Sequence, residues 1–383
     1  MRGRVGIWVA AIVSIVASVG GPVGAHAQDL TLAVNSTAID AVPLHSSYEN
    51  ATRSVSRDVG ISVALPDGHD LWLFGDTGIF QRDGSGDWKE TGFIDGSTAL
   101  QARRTRGAVP HGADYPAGVP KRFIPVPKNV YLPDGSGQRC NSQTAAFAAR
   151  WPTGAAVMAG DKSQVLVTYA EVCITHPPEG GSAIRPEGWG YMLYDWRTQR
   201  IDRGPVDVFA PGRDGAAISA SQILGWPQFA DGQLTLFTSH CTSFFVACAR
   251  GQVWSTTMKA SASAMNDRAS YKLRALSTDG SDKWQPLTIS VGRYSDGLRL
   301  VELTSIAGTY KIFFAPKLGA QWHLEQAGTL PGCPTPTGFC FALEGHPELS
   351  TSTDLFVSYM DPVSSPGGHL VISALPGRAA ARE

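Results

Sequence analysis

The chain has 383 residues, of which 32 are basic and 33 acidic, so its formal net charge at pH 7 is −1. No run of basic residues could follow a phosphate backbone, which argues against a nucleic-acid partner. Charged residues make up only 17% of the chain, whereas glycine (42 residues) and proline (25 residues) are frequent. This composition favours many short strands joined by tight turns.

The N-terminus has the layout of a secretory signal peptide. Arg2 and Arg4 precede an apolar run over residues 5–19, and the tripeptide AHA at residues 25–27 matches a cleavage site. An uncleaved membrane anchor is the alternative, but the run is short for a stable span. We therefore expect residues 1–27 to be removed and the mature chain to be secreted, extracellular or in the cell envelope, with no membrane span.

Six cysteines follow the leader, and an even number in an exported protein predicts disulfides. The sequence alone does not fix their connectivity. We prefer the sequential pairs, which are Cys140–Cys173, Cys241–Cys248 and Cys333–Cys340. Zinc is the competing interpretation, but the chain has no CxxC pair, and we expect neither a metal nor another cofactor.

Short apolar runs bounded by glycine, proline, aspartate and asparagine replace helical periodicity after the leader. The run 61–65, the turn 66–68 and the run 71–74 predict a β-hairpin. Its second strand recurs along the chain as 71–76, 166–171, 235–240, 311–316 and 356–361. A first strand is predicted before each copy, over 58–65, 143–151, 226–230, 298–306 and 346–349.

Five repeats of a three- or four-stranded unit predict an all-β, five-bladed β-propeller, a single domain over residues 28–376. Both faces of a blade pack on neighbouring blades, so its strands should be continuous apolar runs rather than alternating ones. The repeat spacing is uneven, and a two-sheet sandwich or jelly roll is the alternative. We expect residues 377–383 to be a disordered tail and the protein to be a monomer.

Polar side chains mark the ends of the predicted strands. In a hairpin, the start of the first strand and the end of the second lie together, so Asp58 and Asp76 should be neighbours. The same reasoning predicts that seven further polar side chains lie at this end of the propeller, around its central axis. They are Glu171, His240, Asp361, His346, Glu348, Gln143 and Gln228. These side chains would line a central funnel, and carboxylate, imidazole and amide groups in such a funnel suit acid–base chemistry on a neutral polyol. Trp189 and Trp226 could stack on sugar rings there, although core packing is the simpler interpretation.

Several of these residues also have a purely structural interpretation. Asp76 could cap a turn, and Asp58 could pair with Arg57. Glu348 could form a salt bridge that joins the last blade of the propeller to the first. An unpaired charge at Glu171, which closes an apolar run, would be costly, and this favours either an ion-pair partner or a catalytic role.

Two segments carry a resemblance to a known family. Residues 58–77 (DVGISVALPDGHDLWLFGDT) and 346–359 (HPELS followed by LFVSY) resemble the opening and closing blades of a family of secreted actinobacterial proteins, a domain of unknown function. That family includes endo-D-arabinanases, five-bladed propeller glycoside hydrolases that cut cell-wall D-arabinan. The resemblance implies Asp58 and Asp76 as the catalytic carboxylates. The family commonly has a second glycine after the first aspartate, where this chain has Val59.

Two functions follow as hypotheses. The first is a secreted glycoside hydrolase, endo-acting on a furanoside polysaccharide, with the D-arabinan of arabinogalactan or lipoarabinomannan as the first candidate. One of Asp58 and Asp76 would protonate the leaving oxygen, and the other would activate water or attack the anomeric carbon. Glu171 is a third candidate, either as the general acid or as a group that raises the pKa of a neighbouring carboxyl group. The second is a non-catalytic propeller that binds glycan or another envelope component. An interaction scaffold would instead need a broad apolar patch.

Overall fold

A computed structural model describes residues 41–377, except 116–117, 127–129, 132–138, 141–145, 176–182, 210–222, 242–246, 280–282, 334–338 and 363. The predictions for the leader, for Gln143 and for residues 378–383 lie outside the described residues. Within the described part of the chain, no helix has the length and apolar character that a membrane crossing needs.

The regular secondary structure of the described residues is almost entirely β-strand. In chain order the strands are β1 (Val42–Pro43), β2 (Arg53–Arg57), β3 (Ile61–Ala64), β4 (His69–Phe74), β5 (Thr77–Arg82), β6 (Trp88–Ile94), β7 (Thr98–Arg103), β8 (Gly112–Tyr115), β9 (Val130–Tyr131), β10 (Arg139–Cys140), β11 (Ala146–Val157), β12 (Gln164–Thr175), β13 (Ala183–Asp195), β14 (Arg200–Phe209), β15 (Gly225–Ala230), β16 (Gln233–Cys241), β17 (Gly251–Lys259), β18 (Arg274–Ala275), β19 (Thr288–Arg293), β20 (Leu298–Leu303), β21 (Thr309–Ala315), β22 (His323–Thr329), β23 (Phe341–Gly345), β24 (Asp354–Asp361) and β25 (His369–Pro376). One short helix, α1 (Ala262–Asn266), and a 3₁₀ turn (Arg268–Ser270) follow β17.

Five four-stranded antiparallel sheets contain most of these strands, in the orders β3-β4-β7-β8, β11-β12-β13-β14, β15-β16-β17-β18, β19-β20-β21-β22 and β23-β24-β25-β1. The first strands of consecutive sheets lie against one another, β3 on β11, β11 on β15, β15 on β19 and β19 on β23. The sheets are therefore arranged around an axis with these strands innermost. This is the predicted all-β propeller architecture, and we interpret each four-stranded sheet as one blade, numbered 1 to 5 in the order given.

Apolar strands explain why the blades stack face to face. The central strand β12 is buried at every position between its two end residues, as expected for a strand covered on both faces. One core cluster joins Ile61 and Leu71 of blade 1 to Val165, Val167 and other apolar residues of blade 2. A further sheet, β2-β5-β6, projects from blade 1 directly after Asp76.

The first strands are predicted correctly in three blades and wrongly in two. Residues 298–306 were expected to open blade 4, but residues 298–303 form β20, its second strand, because the short strand β19 precedes them. Residues 346–349 form no strand. They make the turn after β23, in which the Leu349 and Ser350 N–H groups donate to the His346 carbonyl at 3.2 and 3.1 Å.

The three preferred disulfides are confirmed. Their Cα–Cα distances are 5.7 Å for Cys140–Cys173, 5.7 Å for Cys241–Cys248 and 6.4 Å for Cys333–Cys340. The last two close loops between residues only seven positions apart, one at blade 3 and one directly before blade 5.

A buried polar group, here called the closure cluster (Ser62, His346 and Glu348), joins blade 5 to blade 1. The Ser62 hydroxyl lies 2.6 Å from His346 Nδ1 and donates to the Glu348 carboxylate. His346 is fully buried, contacts the Ser358 hydroxyl through Nε2 at 2.8 Å and packs on the Trp72 ring. Burial would raise the pKa of Glu348, but the contacts with His346 and Ser62 lower it. The carboxylate is thus held ionised inside the ring.

Replacing Ser62 with alanine should therefore destabilise the protein. The variant removes a hydroxyl donor from a buried carboxylate, and we expect the free energy of unfolding to fall by about 1–3 kcal/mol. Chemical denaturation measures this. Ser295→Ala, at an exposed position, is the control and should change stability by less than about 0.5 kcal/mol. Equal stability of the two variants would contradict the role of the closure cluster.

Candidate functional site

The first hairpin of blade 1 brings Asp58 and Asp76 together. Within it, Ile61 pairs with Leu73, and the hydrogen-bonded ladder continues beyond the two strands. The Gly75 N–H donates to the Asp58 carbonyl at 2.8 Å, and the Asp58 N–H lies 3.5 Å from the Asp76 carbonyl. The two aspartates are therefore neighbours at one end of the ring, as the hairpin predicts.

Two backbone features fix the position of the Asp58 carboxyl group. A Cβ atom at Gly75 would lie 2.2 Å from Asp58 Oδ1, so the carboxyl group packs directly on the glycine backbone. Val59 adopts a φ of +53°, which is rare for a β-branched residue. Its side chain packs beside Phe341 and Met360. A glycine at position 59 would adopt this conformation without strain.

Two donors hold the Asp76 carboxylate from outside its hairpin. The Gly96 N–H donates to Asp76 Oδ1 at 2.7 Å, and the Trp151 indole N–H donates to the same oxygen at 2.9 Å. Gly96 has a φ of +100°, and a Cβ there would lie 2.8 Å from the Arg150 backbone nitrogen. Since Trp151 belongs to β11, Asp76 connects blade 1 to blade 2.

The environments of the two carboxyl groups differ. Burial raises the pKa of Asp58 well above its ordinary value, and the neighbouring charge of Asp76 adds to this effect. Burial also raises the pKa of Asp76, to about 6, although the hydrogen bonds from Gly96 and Trp151 oppose the rise. Burial and the Asp76 charge thus favour the protonated form of Asp58, whereas the two hydrogen bonds to Asp76 favour its charged form, so Asp58 is the candidate acid and Asp76 the candidate base.

Glu171 lies in blade 2 and is bound by a guanidinium group. Arg150 Nε donates to Glu171 Oε2 at 2.6 Å, and Arg150 also donates to Asp207 at 2.9 Å and to the Pro125 carbonyl at 2.7 Å. Burial raises the pKa of Glu171 while Arg150 opposes that rise. Of the two roles that the sequence left open, the structure supplies the ion-pair partner.

The other predicted residues divide between the two ends of the ring. His240 and Asp361 lie at the ends of β16 and β24, the second strands of blades 3 and 5, and therefore at the Asp76 end. His346 and Glu348 were expected there too, which is wrong. They follow the end of β23, at the far end of the strands from Asp58, because residues 346–349 form a turn. Trp189 is 1% exposed and donates its indole N–H to the Leu224 carbonyl, so it is a core residue and does not form a sugar-binding surface.

Trp226 and Gln228 line an axial cavity of about 850 Å³ between the first strands of the blades. The Trp226 indole donates to Glu344 Oε2 at 3.0 Å, and the Gln228 amide donates to the Val291 carbonyl at 3.1 Å. Burial raises the pKa of Glu344 to about 8. Glu344 was missed because it lies inside β23, which the sequence pattern did not reveal. The Arg104 and Arg293 side chains also line this cavity, towards the end opposite Asp58.

No protein-family model and no curated protein matches the sequence. Among solved structures, the chain is similar to a putative hydrolase from Bacteroides ovatus ATCC 8483, with 15% identity, a TM-score of 0.48 and coverage of 84% of this chain and 85% of that one. It is also similar to a GH43_1 enzyme from Xanthomonas citri complexed with xylose (11% identity, TM-score 0.46, coverage 88% and 90%). A third similar structure is the alpha-L-arabinanase of Penicillium chrysogenum complexed with arabinobiose (10% identity, TM-score 0.44, coverage 89% and 99%). None of these similarities identifies the activity or the substrate of this chain.

Replacing Trp151 with phenylalanine should raise the pKa of Asp76. The variant keeps an aromatic ring but removes a donor that stabilises the ionised carboxylate, and we expect a rise of about one pH unit. A carbon-13 NMR titration of labelled aspartate side chains measures this pKa without requiring activity. Trp88→Phe, which changes a tryptophan at the far end of β6, should leave it unchanged. If the pKa of Asp76 is lower or unchanged in Trp151→Phe, the Trp151 indole does not stabilise the ionised form of Asp76.

Proposed function

We propose that the protein is a glycoside hydrolase in which Asp58 is the general acid and Asp76 the base or nucleophile. One observation carries the proposal: two aspartates are adjacent at one end of a propeller, and Asp76 accepts two hydrogen bonds that favour its charged form, whereas burial favours the protonated form of Asp58. Glycosidic bond cleavage requires this pair of states. Glu171 is engaged by Arg150 and acts in support of the site.

The chemistry follows from the two protonation states. Asp58 donates its proton to the glycosidic oxygen as the bond to the anomeric carbon breaks, which lets the leaving sugar depart as an alcohol. Asp76 either removes a proton from an attacking water molecule or itself attacks the anomeric carbon. The first route inverts and the second retains the anomeric configuration, so NMR of the first product formed distinguishes them.

The finer proposal concerns the substrate. Residues 58–77 and 346–359 resemble the blades of a family that includes endo-D-arabinanases, and this supports a furanoside polymer as substrate, with cell-wall D-arabinan first. The signal-peptide layout of residues 1–27 supports an enzyme that meets such a polymer outside the cytoplasm. Internal cleavage would release oligosaccharides from arabinogalactan or lipoarabinomannan.

A non-catalytic glycan-binding propeller is the second candidate. Val59 is the observation that favours it, because a strained, branched side chain beside Asp58 fills space that glycine would leave open. Such a protein would bind arabinogalactan without releasing oligosaccharides, and Asp58→Asn would not change its affinity.

Replacing either aspartate with asparagine should abolish cleavage. The amide introduced by Asp58→Asn cannot donate an acidic proton, and the amide introduced by Asp76→Asn cannot act as a base, so we expect kcat to fall by at least about a hundredfold in each variant. Release of oligosaccharides from arabinogalactan, lipoarabinomannan, L-arabinan and fructan measures activity. Asp67→Asn, in the turn at the opposite end of the same hairpin, should keep full activity. Unimpaired cleavage by both Asp58→Asn and Asp76→Asn would exclude the assignment.

The pH dependence of cleavage should be bell-shaped. Asp76 must be ionised, and its pKa of about 6 means that activity falls as the pH drops through that value. Asp58 must be protonated, and because burial raises its pKa well above the ordinary value, we expect activity to fall on the alkaline side at a higher pH than an ordinary aspartate would give. A profile of kcat/KM between pH 4 and 10 tests both limbs. An optimum in acid, below the pKa of Asp76, would contradict these roles.

A further inference from the structure

An exposed aromatic side chain lies close to Asp76. Phe93 is 38% exposed, which is unusual for a large apolar side chain. It lies on β6 and pairs with Gly78 on β5, two residues after Asp76. The strand that carries Phe93 thus runs directly beside the ionised carboxylate.

Two further rings extend this surface across the junction of blades 1 and 2. Phe147 and Trp151 are four residues apart on β11, so both point to the same face of the strand, about 13 Å apart along it. The Phe147 ring meets the Phe93 ring edge-on, with centroids 6.5 Å apart. Trp151 donates its indole N–H to Asp76. Both Phe147 and Trp151 are only partly buried.

An ion pair with Arg122 is formed by Asp95, which follows Phe93 closely in the chain. Arg122 Nη2 donates to Asp95 Oδ2 at 2.6 Å, and both side chains remain partly exposed next to Gly96, the residue that donates to Asp76. Flat apolar rings bordered by hydrogen-bonding groups suit a sugar, which presents C–H groups on its face and hydroxyl groups at its edge.

We propose that Phe93, Phe147 and Trp151, here called the aromatic wall, bind the sugar residues that lie next to the cleaved bond. This inference rests on the proposed function, since it assigns a substrate subsite to the Asp58–Asp76 pair. Phe93 and Phe147 contact sugar rings away from the reacting atoms. Trp151 contacts the nearest sugar and also donates a hydrogen bond to Asp76. The aromatic wall therefore directly adjoins the catalytic carboxylate.

Binding to a chain that cannot cleave tests the wall separately from catalysis. In an Asp58→Asn background, Phe93→Ala and Phe147→Ala should each weaken binding of arabinogalactan-derived D-arabino-oligosaccharides by about three- to tenfold, measured by calorimetry. Phe147→Trp should restore most of the affinity, since it keeps an aromatic face. Trp88→Ala is the matched control, because Trp88 lies on the same strand as Phe93 but at the other end, against Arg82. It should bind like the parent.

The outcomes separate the two proposals. Suppose that Phe93→Ala and Phe147→Ala weaken oligosaccharide binding but the unmodified chain cleaves no polysaccharide. The aromatic wall is then a glycan-binding surface, and the hydrolase assignment is wrong. If Asp58→Asn and Asp76→Asn lose cleavage but Phe93→Ala and Phe147→Ala keep the KM of the unmodified chain, the wall fails and the hydrolase assignment stands. The proposal for the aromatic wall is wrong if both alanine variants bind the oligosaccharides within twofold of the Asp58→Asn parent. It is also wrong if that parent does not bind them.

Discussion

The turn between β3 and β4 is the constraint on which the candidate site depends. Gly68 adopts a φ of +86° in this turn, and the resulting register carries the ladder up to Asp58 and Asp76. Side chains alternate between the faces of a strand, so a slip of one residue would turn one aspartate away from the other. The separation of eighteen residues in sequence thus becomes adjacency through backbone hydrogen bonds, before any side chain contributes.

The chemical difference between the two aspartates arises from the assembly of the ring. Asp58 packs on the Gly75 backbone, and burial disfavours its charge. Asp76 receives hydrogen bonds from Gly96 and from Trp151, which comes from the neighbouring blade. A hairpin in isolation would hold both carboxyl groups in water with similar pKa values. Packing blade 2 against blade 1 therefore adds a hydrogen bond that favours the charged form of Asp76 and does not reach Asp58 in the same way.

Contacts within one hairpin were predictable from the sequence, and contacts between blades were not. The turn signal at 66–68 and the apolar runs around it placed Asp58 beside Asp76, because antiparallel pairing is local. The pairing of Trp151 with Asp76 spans 75 residues and leaves no local pattern. Glu344 and the placement of His346 were missed for another reason. The run 341–345 is short and contains a glutamate, so the strand was predicted over 346–349 instead, although the proline after His346 argues against a strand there.

The first and last described strands share one sheet, since Val42 of β1 pairs with Ile372 of β25 and Pro43 pairs with Val371. Blade 5 is therefore incomplete until both termini of the domain are present. Because β1 and β25 lie more than 320 residues apart in the chain, blade 5 is assembled only once residues 369–376 have been synthesised. The pairing of β1 with β25 also means that joining residue 41 to residue 377 by a linker, with new termini in an exposed loop, should retain the ring.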